Sequence, residues 1–366
     1  MKLRELVNAH IRDLDPYVPG KPVEELEREL GIASAVKLAS NESPIGPSRR
    51  AVEAIFAAAE NLNRYPDDTC FALRDALATQ LGVATNQLCF AGGSDGILEL
   101  LAKCFLAPGD EALFPWPSFA MYPIMTRGAG ATPVLAPLDR AYRADVAALL
   151  AAVTPRTRLV VLANPNNPTG TSIGAAEFAR LVRELPERIV LAADEAYLSF
   201  VRRSDFPDSI AALRERKTLV VLRTFSKGHA LAGLRIGYAI GDAELISYLE
   251  RARHPFIVNS LAQVAAVAAL ADHAHAARIA ELTHQGIAQL EAGLRKLGIP
   301  FADTDANFLL LEVGPGADAL QERLLRFGVI TRPLGGFGLK THLRVSVGTR
   351  EENERFLTAL AAERKP

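Results

Sequence analysis

RTFSKGHALAGLRIGY (223–238) follows TLVVL (218–222), a β-branched run of the kind that forms a buried strand. A lysine, Lys227, and an arginine, Arg235, stand in the glycine-dotted turn after it. Taken alone, Lys227 reads as a solvated surface residue and Arg235 as a salt-bridge group. A lysine at a strand exit, flanked by Ser226, Gly228 and apolar neighbours, can instead be stripped of water. Its amine is then free to form a Schiff base. Arg235 offers a planar fork that suits a phosphate.

Other segments must agree for the second reading to hold. Apolar runs recur at 158–163 (RLVVLA), 188–194 (RIVLAAD), 218–223 (TLVVLR) and 235–241 (RIGYAIG), with a helical pattern at 175–185 between the first two. Such runs, separated by helices, predict a mostly parallel sheet covered on both faces, with the ligand beyond the carboxyl ends of the strands. The first three runs give way to polar residues: Asn164-Pro-Asn-Asn167-Pro-Thr-Gly170, Asp194-Glu195-Ala196-Tyr197, and Thr224-Phe-Ser226-Lys227. LCFAGGSDG (88–96) passes from a strand through glycines into a helix and resembles an anion cradle, with Gly93, Ser94 and Asp95 at the helix start. It lacks the GxGxxG and GxxxxGK[ST] spacings, which argues against dinucleotide or ATP chemistry. Asp194, at the end of a neighbouring strand, is the carboxylate that a protonated pyridine nitrogen needs.

Helices are further predicted at 23–30, 47–62, 69–82 (capped by Asp68 or Thr69) and 95–106. Beyond Asn259 the texture changes. Residues 260–298 are helical almost throughout, and their length predicts a connector spanning the two domains, straight or bent. Short strands at 307–313, 328–333 and 342–348 follow, with helices near 318–327 and from about 350. The expected organisation is an N-terminal arm (1–35) joining the small domain, a large domain (36–260) and a small α+β domain (261–366).

The 41 basic and 42 acidic residues of the 366-residue chain nearly cancel, so no global field for nucleic acid is present. MKLRELVNAHIRDL (1–14) lacks an apolar signal-type core and no run suits a membrane span, so a cytoplasmic location and no membrane partner are expected. The cysteines Cys70, Cys89 and Cys104 and the seven histidines have no metal-ligand spacing; no metal is expected.

In their order and wording, NPNNPTG (164–170), DEAYLSF (194–200) and RTFSKGHALAGLRIGYAIG (223–241) resemble the fold type I pyridoxal-phosphate aminotransferases. PYVPGKPVEELERELG (16–31), LASNESPIGPS (38–48), NRYPDD (63–68) and the tail 329–360 resemble the histidinol-phosphate aminotransferase family. That likeness implies an α/β fold with a mostly parallel large-domain sheet and a smaller α+β domain. It also implies pyridoxal 5'-phosphate as cofactor and transamination between L-histidinol phosphate and 2-oxoglutarate. Aromatic amino-acid aminotransferases and threonine-phosphate decarboxylases look alike at this level. Carried over, Lys227 holds the cofactor and shuttles the proton, and Asp194 pairs with the ring nitrogen. Asn167 and Tyr197 bond the ring's phenolic oxygen. Gly93, Ser94, Asp95, Ser226 and Arg235 hold the phosphate. Arg344 clasps the carboxylate of glutamate or 2-oxoglutarate; Tyr17 and Arg332 are candidates for the substrate's other end, and Asn41 lines the mouth. Tyr65 reaches in from a second copy, which implies a homodimer. Two positions depart from the family pattern: Gly96 where relatives carry an acid, and Phe119 where they stack a tyrosine on the ring.

Overall fold

The computed structural model describes residues 3–17 and 19–363. Its centre is a seven-stranded sheet in the order Leu88–Ala91, Gly237–Gly241, Leu219–Thr224, Val190–Asp194, Thr157–Ala163, Glu111–Trp116, Thr132–Pro137. Only Gly237–Gly241 runs antiparallel to its neighbours; the other pairings are parallel. All four predicted runs form strands, and the fourth is the antiparallel one. The sequence pattern does not mark Glu111–Trp116 and Thr132–Pro137, because Pro115, Pro133 and Pro137 interrupt it.

Period-two alternation explains why the central runs read as unbroken apolar sequence. Val160, Leu162, Leu191, Ala193, Leu219 and Val221 bury into one core, while Leu159, Val161, Val190, Ala192, Val220 and Leu222 bury into the other. Each fully buried Val or Leu stabilises the fold by roughly 1.5–3 kcal/mol, so both faces must be covered. Helices Phe71–Leu81, Ala175–Glu184 and Ser260–Leu270 supply side chains to the first core, and Ser94–Phe105, Met121–Gly128 and Ala243–Ala252 to the second.

A smaller unit holds an antiparallel sheet in the order Arg332–Pro333, His342–Ser346, Phe308–Glu312. Helices His273–Lys296, Ala317–Arg326 and Arg350–Ala362 bury Ile287, Leu290, Leu324, Phe356 and Leu360 in its core. The N-terminal segment is stitched to this unit. Val36–Lys37 pairs in parallel with Val329–Ile330, and the Ser346 N–H donates to the Leu38 carbonyl at 2.9 Å.

Two expectations change. The helical stretch 260–298 is two helices, Ser260–Leu270 and His273–Lys296; Asp272 accepts from the His275 N–H and starts the second. Ser260–Leu270 buries Ala262, Ala265, Ala266 and Ala269 in the large-sheet core. Helix Phe71–Leu81 is not capped by Asp68 or Thr69: Asp67 accepts from the Thr69 and Phe71 N–H groups, and Asp68 pairs with Arg253. Among the described residues no helix is long and apolar enough to cross a membrane, and no group of three or more His, Cys, Asp or Glu could hold a metal.

Candidate active site

The carboxyl ends of the central strands are level. Ala163 pairs with Asp194, and Asp194 with Leu222, so the turns after these three strands leave the sheet side by side. They open into a cavity of about 230 Å³ that also reaches the smaller unit through Arg344 and the N-terminal segment through Tyr17 and Asn41. Lys227 and Asp194 both line this cavity, 33 residues apart in sequence but brought together by adjacent strands.

The Lys227 Nζ donates to the Ser40 carbonyl at 3.1 Å and lies 5.9 Å from the centre of the Tyr197 ring. Burial, with the Arg344 guanidinium nearby, lowers its pKa to about 8. About a tenth of the amine is then uncharged at pH 7, far more than for an ordinary lysine, and able to attack a carbonyl. Asp194 is 5% exposed. Tyr122 donates to its Oδ2 at 2.8 Å and the Ala196 N–H to its Oδ1 at 3.2 Å. Burial raises Asp194 to about 6 despite those two hydrogen bonds.

At the helix Ser94–Phe105 the N-cap is Gly93, with φ of 87° and no side chain capping the first turn. The leading N–H groups of that helix therefore face the cavity without an intrahelical partner. A Cβ at Gly93 would lie 2.6 Å from the Arg235 Nη2, so only glycine lets the guanidinium settle against the helix start. Arg235 reaches the Asp95 carboxylate at 3.3 Å and the Ser226 hydroxyl at 3.5 Å. Burial raises the Asp95 pKa, opposed by Arg235 and Lys227. The departure at Gly96 has a packing cause: a Cβ there would stand 2.9 Å from the Ala91 Cβ, so glycine brings the helix close onto its strand.

Arg344 is 6% exposed. Its Nη1 donates to the Asn167 Oδ1 and its Nη2 to the Ala39 carbonyl, while its Nε has no hydrogen-bond partner. A buried guanidinium with one unused donor is costly unless an anion completes it. Asn41, at φ 54°, ties the N-terminal segment to the site. Its Nδ2 donates to the Tyr197 hydroxyl at 2.9 Å, and its Oδ1 accepts from the Ser346 hydroxyl at 2.9 Å.

Of the predicted residues, Tyr17, Asn41, Ser94, Asp95, Phe119, Asn167, Asp194, Tyr197, Ser226, Lys227, Arg235 and Arg344 line this one cavity. Gly93 lies beneath Arg235. Arg332 sits beside the cavity, its guanidinium 5.8 Å from the Tyr17 ring centre. Tyr65 is elsewhere: it is 82% exposed and stacks on Phe256 at 4.6 Å. Sequence reading missed Tyr122, Ser40 and Glu42. Tyr122 has no local motif; Ser40 and Glu42 both lie inside LASNESPIGPS, a segment already singled out, but Ser40 acts through its backbone carbonyl.

Residues 33–360 match the family model for aminotransferases of class I and II. The chain is 45% identical over 357 residues to histidinol-phosphate aminotransferase 2 of Pseudomonas fluorescens, covering 97% of this chain and 96% of that one. It is 44% identical to the histidinol-phosphate aminotransferase of Moorella thermoacetica, over 96% and 91% of the two chains. The fold superposes with a TM-score of 0.90, at 28% identity and over 97% and 96% of the chains, on the crystal structure of histidinol-phosphate aminotransferase from Sinorhizobium meliloti in complex with pyridoxal-5'-phosphate. A chain with this cavity at the strand ends, matched along nearly its whole length, belongs to the class I and II aminotransferases and, within them, to the histidinol-phosphate aminotransferase family.

Proposed function

We propose that the protein transaminates between L-histidinol phosphate and 2-oxoglutarate with pyridoxal 5'-phosphate, giving imidazole acetol phosphate and L-glutamate. The observation that carries this reading is the pairing of a half-buried amine, Lys227, with a buried carboxylate, Asp194, across one cavity that ends in an uncapped helix start. The residues present fit the cofactor on two counts and its substrate on a third. The open N–H groups behind Gly93, with Arg235 and Ser226, suit a phosphate dianion. Asp194 suits a ring N–H. The Arg344 Nε suits a substrate carboxylate.

Bound there, pyridoxal phosphate supplies an aldehyde that takes up the amino group and a protonated ring that accepts the electron pair left at the substrate Cα. The chain's own residues do the rest. Lys227 holds the cofactor between turnovers; once displaced, its Nζ takes the proton from the substrate Cα. A lowered pKa suits that task, since the amine must be uncharged to accept it. Asp194 keeps a proton on the ring nitrogen. Asn167 and Tyr197 would bond the phenolic oxygen, and Phe119, which also lines the cavity, would offer its ring to the cofactor's. Gly93, Ser94, Asp95, Ser226 and Arg235 hold the phosphate.

Arg344 orients the carboxylate of glutamate or 2-oxoglutarate, and Tyr17, Asn41 and Arg332 receive the remaining substrate. Tyr65, exposed and remote from its own cavity, is read as a contribution to the site of a second copy, in a homodimer that works in the cytoplasm. We read the chain as an arm (1–35), a large cofactor domain and a small domain. The packing of Ser260–Leu270 favours a boundary at the break near 271.

Turnover assays with histidinol phosphate, phenylalanine and threonine phosphate, each with 2-oxoglutarate, test the reading. Glutamate should form fastest with histidinol phosphate. Preference for phenylalanine, or loss of carbon dioxide from threonine phosphate without glutamate formation, would contradict it.

A further inference from the structure

Asp194 is held from behind. Tyr122, on helix Met121–Gly128, is fully buried at 0% exposure, and its hydroxyl donates to the Asp194 Oδ2 at 2.8 Å. The ring is fixed by aromatic neighbours: Phe119 meets it edge-on at 5.7 Å, and Phe114 lies tilted at 5.7 Å. Burial and the neighbouring Asp194 charge raise the phenol's own pKa well above its ordinary value, so it is a donor that never ionises at working pH. The other Asp194 oxygen takes only the Ala196 N–H, at 3.2 Å. Among the described residues no lysine or arginine forms an ion pair with Asp194. The ionisable groups facing it are Tyr122, Asp95 from helix Ser94–Phe105, and Glu195 and Tyr197 on its own turn.

We propose that Tyr122 is a positioning residue for the reaction: its hydroxyl holds the Asp194 carboxylate ionised and aimed into the cavity, so that the proton stays on the cofactor's ring nitrogen. This rests on the aminotransferase reading above. The two acidic neighbours disfavour a charge on Asp194, and burial does so more strongly. A neutral donor offsets part of that cost without supplying a competing cation. A lysine or arginine in its place would satisfy the carboxylate fully and leave nothing to attract a pyridinium. With the hydroxyl gone, the carboxylate becomes the more basic partner and draws the shared proton to itself. The ring then loses the charge that makes it accept electrons.

Two measurements test this, neither of them activity. In the cofactor-free protein, stability as a function of pH should carry a drop as pH rises through about 6, where Asp194 ionises. In Tyr122→Phe that drop should move up by about one pH unit, since a hydrogen bond to a charged group is lost. With 3-fluorotyrosine installed at position 122, a stronger donor, the drop should move down, which decides the matter even if the phenylalanine variant folds poorly. In the holoenzyme at pH 7.5, the resonance of ring-15N pyridoxal phosphate should lie at the protonated position in the wild type and shift toward the unprotonated one in Tyr122→Phe. A pH profile unmoved by both substitutions, or an unchanged 15N resonance in Tyr122→Phe, would overturn the proposal. Asp194→Asn separates the two levels: if it leaves the 15N resonance where the wild type has it, the role of Asp194 itself fails, whatever Tyr122 does.

Discussion

The large sheet carries a buried carboxylate at each end, and the two live under opposite conditions. Glu111, at the amino end of its strand, is 3% exposed and is bonded by Thr154 and by Arg156 at 2.8 Å. Those partners, the Thr154 hydroxyl first and Arg156 after, hold its pKa below the usual range. Asp194, at the carboxyl end of a nearby strand, is as well covered but has a neutral phenol and one amide as partners, and its pKa is pushed up. Glu111 is complete within the chain and clamps the loop 154–157 to the sheet. Among the described residues Asp194 has no lysine or arginine in an ion pair with it, only two neutral donors. The same contrast separates the arginines: Arg253 is saturated by Asp68 and Glu250, whereas Arg344 keeps an unused Nε in its buried site. Glu111 and Arg253 meet opposite charge within the fold, whereas Asp194 and Arg344 meet only neutral groups.

Substitutions along this contrast should rank by how much chemistry each residue carries. Lys227→Ala removes both the attachment point and the base, and turnover should fall by at least ~10³-fold. A near-normal rate with glutamate would break the account. Asp194→Asn should lower kcat about a hundredfold, the scale of losing one preorganised electrostatic partner, while some cofactor still binds. Unchanged kcat would remove Asp194 from the reaction. Arg344→Lys should raise the KM for glutamate by roughly tenfold or more, because a point charge cannot reproduce the planar fork. Unaltered glutamate kinetics would show that the carboxylate binds elsewhere.

The two carboxylates should also separate in pH-dependent stability. The folded-state pKa of Asp194 is raised, so its favourable contribution is present below its unfolded value and is lost as pH rises through about 6. In the cofactor-free protein, Asp194→Asn should therefore gain on the wild type between pH 4 and 7, by roughly 3 kcal/mol at the upper end. Glu111 has the opposite sign: its lowered pKa contributes stability above the ordinary glutamate range, and that contribution is lost as pH falls. Glu111→Gln should cost about 1 kcal/mol at pH 7, with activity unchanged and the difference vanishing in acid. Denaturant titrations at several pH values check both; parallel profiles for the two variants would erase the distinction.

Much of this was legible in the sequence, for physical reasons that can be named. Strands buried on both faces write themselves as unbroken Val, Leu and Ala, and the polar turns at their ends stand out against that background. Lys227, Asp194, Asn167 and Arg235 were visible for this reason. The two strands Glu111–Trp116 and Thr132–Pro137 were not, since prolines at the sheet's margin blur the pattern. Tyr122 was hidden because it lies 72 residues from Asp194, and a tyrosine on an apolar helix reads as core. The Ser40 carbonyl has no side-chain signature at all. The helix break at Ala271–Asp272 is carried by a single capping aspartate, which a helical composition on both sides conceals.

The central claim is that one amine, the Nζ of Lys227, holds the cofactor. Borohydride reduction of the holoenzyme, followed by proteolysis and mass spectrometry, tests it most directly. The account predicts a pyridoxyl-phosphate adduct on the peptide that contains Lys227 and on no other. An adduct on a different lysine, or a protein that takes up pyridoxal phosphate and yields none, would contradict it.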